Sequence, residues 1–111
     1  MTLYFAKSVT MKDTGALVTA WAINGYHVRN VGNSANMRIN VNVAGYVSPQ
    51  TLSAGLSPMP GAGANYNLAE SNFPAGTDLT TITLAEIYTA ISAVADANPN
   101  DILNGATLAT V

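Results

Sequence analysis

Hydrophobic and polar residues alternate most regularly in MRINVNVAGY, residues 37–46. The apolar residues of this stretch occupy every second position: Met37, Ile39, Val41 and Val43. Because successive side chains of a strand leave opposite faces, this period of two predicts a strand with one buried face. The other face carries Arg38, Asn40 and Asn42, and the pattern leaves open whether it meets water, a ligand or another chain.

Two further strand patterns precede this one. In the first, apolar residues occupy every second position from residue 3 to residue 11, except for Lys7. The turn residues KDTG, 12–15, follow it. The second, ALVTAWAINGYHVRNV, spans residues 16–31, and its Asn24-Gly25 pair is typical of either a hairpin turn or a bulge. We favour a bulge in one long bent strand, since the part after it is short to pair alone. With a turn at residues 32–36, these patterns predict a three- or four-stranded antiparallel meander.

The segment after the meander changes character. SPQTLSAG, residues 48–55, predicts a short helix, with Ser48 as N-cap and Pro49 at the first helical position. The loop from Leu56 to Asn65 is rich in proline and glycine, and long loops in small domains are often binding segments. YNLAESNF, residues 66–73, is read as a further short strand.

The clearest helix lies in the last third of the chain. TLAE at 83–86 is a capping box, and apolar residues then recur at helical spacing: Leu84, Ile87, Tyr88, Ile91, Val94 and Ala95. The pattern predicts a helix over 83–97, ended by the Asn98-Pro99 pair. Its opposite face has almost no charge, which indicates that this face is also covered. Residues 98–111 are read as an extended tail.

These elements predict a single α+β domain over residues 1–111. It consists of a β-rich part at 1–47, a loop and short helix at 48–65, the helix at 83–97 and the tail at 98–111. The expected architecture is an antiparallel sheet of three to five strands with the C-terminal helix packed on one face.

Composition changes this picture in one respect. Charged residues make up 9% of the 111 residues, with a net charge of −2 and no cysteine, whereas a typical soluble domain is about 25% charged. No basic cluster indicates nucleic-acid binding, and no apolar run approaches the roughly 20 residues of a membrane-spanning helix. The N-terminus has no secretory-signal pattern. Because interface centres are depleted in Lys, Glu and Asp, the composition favours a subunit of a larger assembly over a monomer with a neutral surface.

Candidate chemistry is sparse, so no catalytic, cofactor-binding or metal-binding residue is predicted. His27 is the only histidine, and no serine lies in a Gly-x-Ser-x-Gly elbow. Asp96 and Asp101 are read as helix-end caps and turns rather than as a calcium site. Gly61-Ala-Gly is not a phosphate loop, because Tyr66 stands where the third glycine would be. Trp21 is expected in the core rather than on a sugar-stacking platform.

Together, GYHVRNVG, MRINVNVAGYVSPQTLSAGLSPMP and the C-terminal helix resemble a group of small virion proteins of tailed bacteriophages, encoded among tail, baseplate and fibre genes. The resembling pieces are Tyr26–His27, Val41 to Tyr46, Ala54–Gly55 to Pro58, and Gly105–Ala106. The resemblance covers residues 16–106 and implies a non-enzymatic, oligomeric structural subunit located in the virion. A capsid decoration or head-fibre protein, or a carbohydrate-binding module using Trp21, Tyr26 or Tyr46, stays as an alternative.

The expected partners are copies of the chain itself and other virion proteins, rather than nucleic acid or a membrane. The interface residues predicted for these contacts are Arg38, Asn40, Asn42, Pro58, Pro60 and Tyr66. Contacts between chains are further expected from the loop at Leu56–Asn65 and from the tail at 100–111, since extended termini can add a strand to a neighbouring sheet.

Overall fold

Strand pairing dominates the computed structural model of the protein, which describes residues 2–12, 14–30 and 37–111. Its strands are β1 (Leu3–Thr10), β2 (Leu17–Arg29), β3 (Arg38–Tyr46), β4 (Gly63–Ala69) and β5 (Thr107–Thr110). Its α-helices are α1 (Pro49–Ser53) and α2 (Leu84–Asp96), and single 3-10 turns occupy Glu70–Asn72 and Leu79–Thr81. Within the described residues, the strands form one antiparallel sheet in the order β4-β3-β2-β1-β5. The α+β class is therefore confirmed, whereas the turn predicted at 32–36 lies outside the described residues.

Two bulges shape the sheet. The register of β2 against β3 shifts between Ile23 and Gly25, so the predicted bulge in one long strand is confirmed. The register of β1 against β2 shifts between Ala6 and Val9. Lys7, the one polar residue in the apolar alternation of β1, lies within this second bulge. The carbonyl oxygen of Lys7 accepts a hydrogen bond of 3.1 Å from the Trp21 indole nitrogen. The bulge thus provides a partner for the one polar atom of a fully buried tryptophan.

Helix α2 covers one face of the sheet. Thr83 is its N-cap and forms the predicted capping box: its hydroxyl accepts from the Glu86 amide at 3.3 Å, and its own amide donates to the Glu86 carboxylate at 3.2 Å. Residues of the predicted stripe pack into the main core with the apolar face of β3, except Leu84, which is 48% exposed. The main contributors to this core from α2 are Ile87, Tyr88, Ala90, Ile91 and Ala95.

The two edge strands are where the structure differs most from the sequence prediction. Strand β4 begins at Gly63, inside the predicted loop, and ends at Ala69, where a 3-10 turn follows instead of a longer strand. The tail is not simply extended, because its last residues form β5 on β1 of the same chain. Reciprocal bonds of 2.9 and 3.0 Å between the main chains of Thr2 and Val111 continue this pairing. The terminus therefore adds a strand to its own sheet.

Candidate interaction surface

Four asparagines meet on the sheet face opposite α2. Strands β3 and β4 pair Asn40 with Asn67 and Asn42 with Asn65, so the amides lie side by side in two cross-strand pairs. We call these four residues the amide patch. They border a shallow depression of about 400 Å³, and all are exposed except Asn40, which is half-buried.

The amide patch follows from the same alternation that builds the core. Residues between the asparagines point to the α2 face, where Val41, Tyr66 and Leu68 are buried. The sequence identified Asn40 and Asn42 but not Asn65 and Asn67. An alternation from residue 64 to residue 68 is visible in GANYNLA and could have indicated them, but the preceding Pro- and Gly-rich segment favoured a loop.

The patch can form hydrogen bonds of both kinds without carrying charge. Each asparagine amide offers an acceptor oxygen and two donor hydrogens. His27 lies opposite Asn40 on β2 and is exposed. Arg38 is the first residue of β3, and its guanidinium Nη1 donates to the Met37 carbonyl at 2.9 Å. Neither β3 beyond Arg38 nor any part of β4 contains a charged residue.

The remainder of this sheet face is covered by the chain itself. A second cluster of buried residues lies there beside the amide patch: Ala20, Ala22, Ala44 and Tyr46. Tyr4 and Leu52 pack against it, and Leu52 belongs to α1, which the Ser48 side chain caps by accepting from the Thr51 amide at 3.2 Å. Helix α1 therefore closes one end of the face and leaves the amide patch open.

The structure does not gather all the predicted interface residues at one place. Pro58 and Pro60 lie in the loop at the opposite end of β3 from Arg38, where the Met59 amide donates to the Gly45 carbonyl at 2.8 Å. Of the predicted set, Arg38, Asn40 and Asn42 share one strand. The two prolines are therefore separate from the amide patch.

Tyr66 has a different position from the one expected of an interface residue. Its side chain is only 7% exposed, and its hydroxyl donates to the Asp101 carboxylate at 2.7 Å. Burial, together with the bond to the nearby carboxylate, raises the pKa of Tyr66 above its ordinary value. The same carboxylate oxygen accepts from the Leu103 amide at 2.9 Å. Tyr66 thus ties β4 to the segment after α2.

The aromatic residues proposed for a sugar platform are mostly inaccessible. Trp21 is fully buried, which confirms the core interpretation and excludes it as a stacking surface. Tyr46 is buried on the other face, and Tyr26 alone of the three is exposed, at 44%.

The aspartates near the helix end make turn contacts. Asp96 accepts from the Gly105 amide at 3.0 Å, and Asp101 binds Tyr66 and Leu103 as described. In the described residues no group of three or more His, Cys, Asp or Glu side chains is placed to hold a metal ion. Over the same residues, no helix is long and apolar enough to cross a membrane.

A second, more apolar groove runs along the outer side of α2. It has a volume of about 460 Å³ and lies between the helix and the segment at Phe73 and Pro74. Ala85, Thr89 and Ala93 line it from the helix and are exposed. The charge-poor helix face is therefore open in the single chain.

Comparison with known proteins adds no relative. No protein-family model, no curated protein and no solved structure matches the chain.

Proposed function

We propose that this protein is a non-enzymatic structural subunit of a bacteriophage virion, located in the tail, baseplate or fibre-attachment region. It acts through contacts with copies of itself and with other virion proteins. The observation that carries the assembly role is the uncharged surface that runs from the amide patch to the outer edge of β4. The phage assignment rests on the sequence resemblance alone.

This surface is unlike an ordinary solvent-facing sheet. Natural edge strands are usually protected from pairing by charged side chains, prolines or bulges. Strand β4 is an edge strand with no charge and no proline from Gly63 to Ala69, and its pairing with β3 continues without a register shift. The depletion of charge is typical of the centre of a protein interface. These features favour an outer edge of β4 that is covered in the assembled state.

Two measurements test the proposal. Sedimentation velocity of the purified chain is expected to show an oligomer, and a stable monomer at high concentration would contradict the assembly role. Electron microscopy of intact particles, with an antibody against the chain, is expected to place it at the tail, baseplate or fibre base. Labelling on the capsid would favour a decoration or head-fibre protein instead.

A further inference from the structure

We propose that β4 of one copy pairs antiparallel with β4 of a second copy across a two-fold axis, which joins the two five-stranded sheets into one. This inference rests on the proposed function, because it names the surface and the partner through which the subunit assembles. Both copies present the same strand, as a two-fold interface requires.

Strand β4 is the longer of the two edge strands of the sheet. Strand β4 pairs with β3 on one side, and the described residues place no strand on its other side. An edge strand presents unpaired main-chain groups that can accept another strand. Strand β4 spans seven residues, whereas the opposite edge strand, β5, spans only four. The longer edge offers the more extensive main-chain ladder.

The outer edge of β4 is complementary to the same edge of a second copy. A register centred on Tyr66 overlaps Gly63–Ala69 with its copy and places Asn65 of each chain opposite Asn67 of the other. At the end of this overlap the Ala69 amide already donates to the Asn72 side chain at 2.7 Å, so the new ladder is formed by the residues before it. The amide patches of the two copies then become one continuous surface on the same side of the joined sheet. Because an amide both donates and accepts hydrogen bonds, a row of asparagines is complementary to its own copy, whereas a row of lysines would repel it.

The side chains of β4 favour a second copy of the chain over a foreign peptide as the partner. When a foreign peptide adds to a sheet edge, pockets for its alternate side chains provide the specificity. The side chains of β4 on the core face are already committed to their own chain, since Tyr66 and Leu68 are buried and Tyr66 binds Asp101. The neighbouring surface on the other face consists of asparagines. A strand that carries a matching asparagine row fits this edge best, and β4 of a second copy is such a strand.

The first test compares two double variants by sedimentation velocity. In Asn65→Lys/Asn67→Lys, each lysine would face a lysine of the other copy, so the oligomer is expected to be lost. The matched control is Asn40→Lys/Asn42→Lys, which adds the same charge on the same face but on the inner strand, and its oligomer is expected to remain. Far-ultraviolet circular dichroism checks that both variants fold.

The outcomes separate the inference from the function on which it rests. A native chain that is monomeric would overturn both. A native oligomer that survives the β4 lysines, or that is lost equally in both double variants, would overturn the β4 pairing. The assembly role would stand in both of those results. An oligomer that survives would be held by a contact elsewhere, and one lost equally in both variants would be held through the whole amide patch.

A cross-linking test reports the register directly. The native chain has no cysteine, so Asn65→Cys mixed with Asn67→Cys is expected to give a disulfide-linked dimer upon mild oxidation. Opposed residues of paired strands have Cα atoms close enough for a disulfide. Asn40→Cys mixed with Asn42→Cys is the control and is expected to remain uncross-linked. Equal cross-linking in the two mixtures would contradict the proposed register.

Discussion

The Tyr88 hydroxyl bridges β1 and β2 by accepting from the Ile23 amide at 2.8 Å and donating to the Leu3 carbonyl at 3.0 Å. The register of these strands, continued from Phe5 opposite Trp21, would place Leu3 opposite Ile23. The phenol therefore occupies the place of a direct strand-to-strand hydrogen bond, next to the bulge in β2. One side chain of α2 thus fixes the helix to two strands, and its ring packs on Phe5 with centroids 5.1 Å apart.

Removing this hydroxyl is expected to destabilise the protein. Tyr88→Phe keeps the ring but leaves the Ile23 amide and the Leu3 carbonyl, which are partly buried, without this partner. An unsatisfied buried polar group costs about 1–3 kcal/mol. Denaturant unfolding should therefore show a lower free energy of unfolding by about that amount. Tyr26→Phe, at an exposed position, is the control, and equal losses in the two variants would contradict the bridging role.

Alkaline pH is expected to weaken the fold through Tyr66 and Tyr88. Burial raises the pKa of both phenols above the ordinary value of 10.0, and Asp101 contributes at Tyr66. A raised pKa in the folded state means that the unfolded chain loses its proton first. The two protonated phenols therefore make their full contribution to the free energy of unfolding below pH 10. This contribution is lost progressively as the pH rises above 10.

The pH effect can be assigned to one residue by substitution. Tyr66→Phe removes one of the two shifted phenols, so its free energy of unfolding should fall less steeply with pH above 10 than that of the native chain. Urea unfolding at a series of pH values measures these slopes. Identical slopes for the variant and the native chain would exclude Tyr66 as a source of the effect.

The sequence predicts the local features of this fold better than its non-local pairings. Helix α2 is recognisable because the Thr83–Glu86 capping box and the apolar stripe lie within the helix itself. Strands β4 and β5 depend on partners far along the chain, so the local pattern predicts only part of β4 and an extended tail in place of β5. Asn40 and Asn42 are recognisable from the alternation of their own strand, whereas Asn65 and Asn67 follow a Pro- and Gly-rich segment that favours a loop. How the four asparagines meet depends on the register of β3 against β4, which no local pattern determines.

The side chain of Asn104, in the segment after α2, caps the C-terminus of this helix. The Asn104 amide nitrogen Nδ2 donates to the carbonyls of Ala95, Asp96 and Asn98, at distances of 3.0 to 3.3 Å. These carbonyls lie at the helix end and in the turn that follows. The Ala95 and Asn98 carbonyls also accept from the main-chain amides of Asn98, at 3.2 Å, and Asp101, at 3.0 Å, so the two hydrogens of the Asn104 side chain add further bonds to this turn. Asn104→Ala is therefore expected to lower the free energy of unfolding by about 1–2 kcal/mol.

Thermal and denaturant unfolding measure this loss. Asn100→Ala is the matched control, since it removes an exposed asparagine from the same segment, and it should change stability by less than about 0.5 kcal/mol. If Asn104→Ala were as stable as Asn100→Ala, the cap would have no energetic role.

Gly45 lies where two parts of the chain approach too closely for any side chain. A Cβ atom at this position would lie 2.7 Å from Val18 Cγ1 and 2.8 Å from Ala62 Cβ. The approach is fixed by the main chain, since the Gly45 amide donates to the Ala62 carbonyl at 3.0 Å. Gly45→Ala is therefore expected to destabilise the protein by about 1–3 kcal/mol through overpacking. Gly25→Ala is the control, because a Cβ there meets nothing within 4 Å. Denaturant unfolding of both variants decides the matter: a Gly45→Ala protein no less stable than Gly25→Ala would mean that the loop before β4 moves away at little cost.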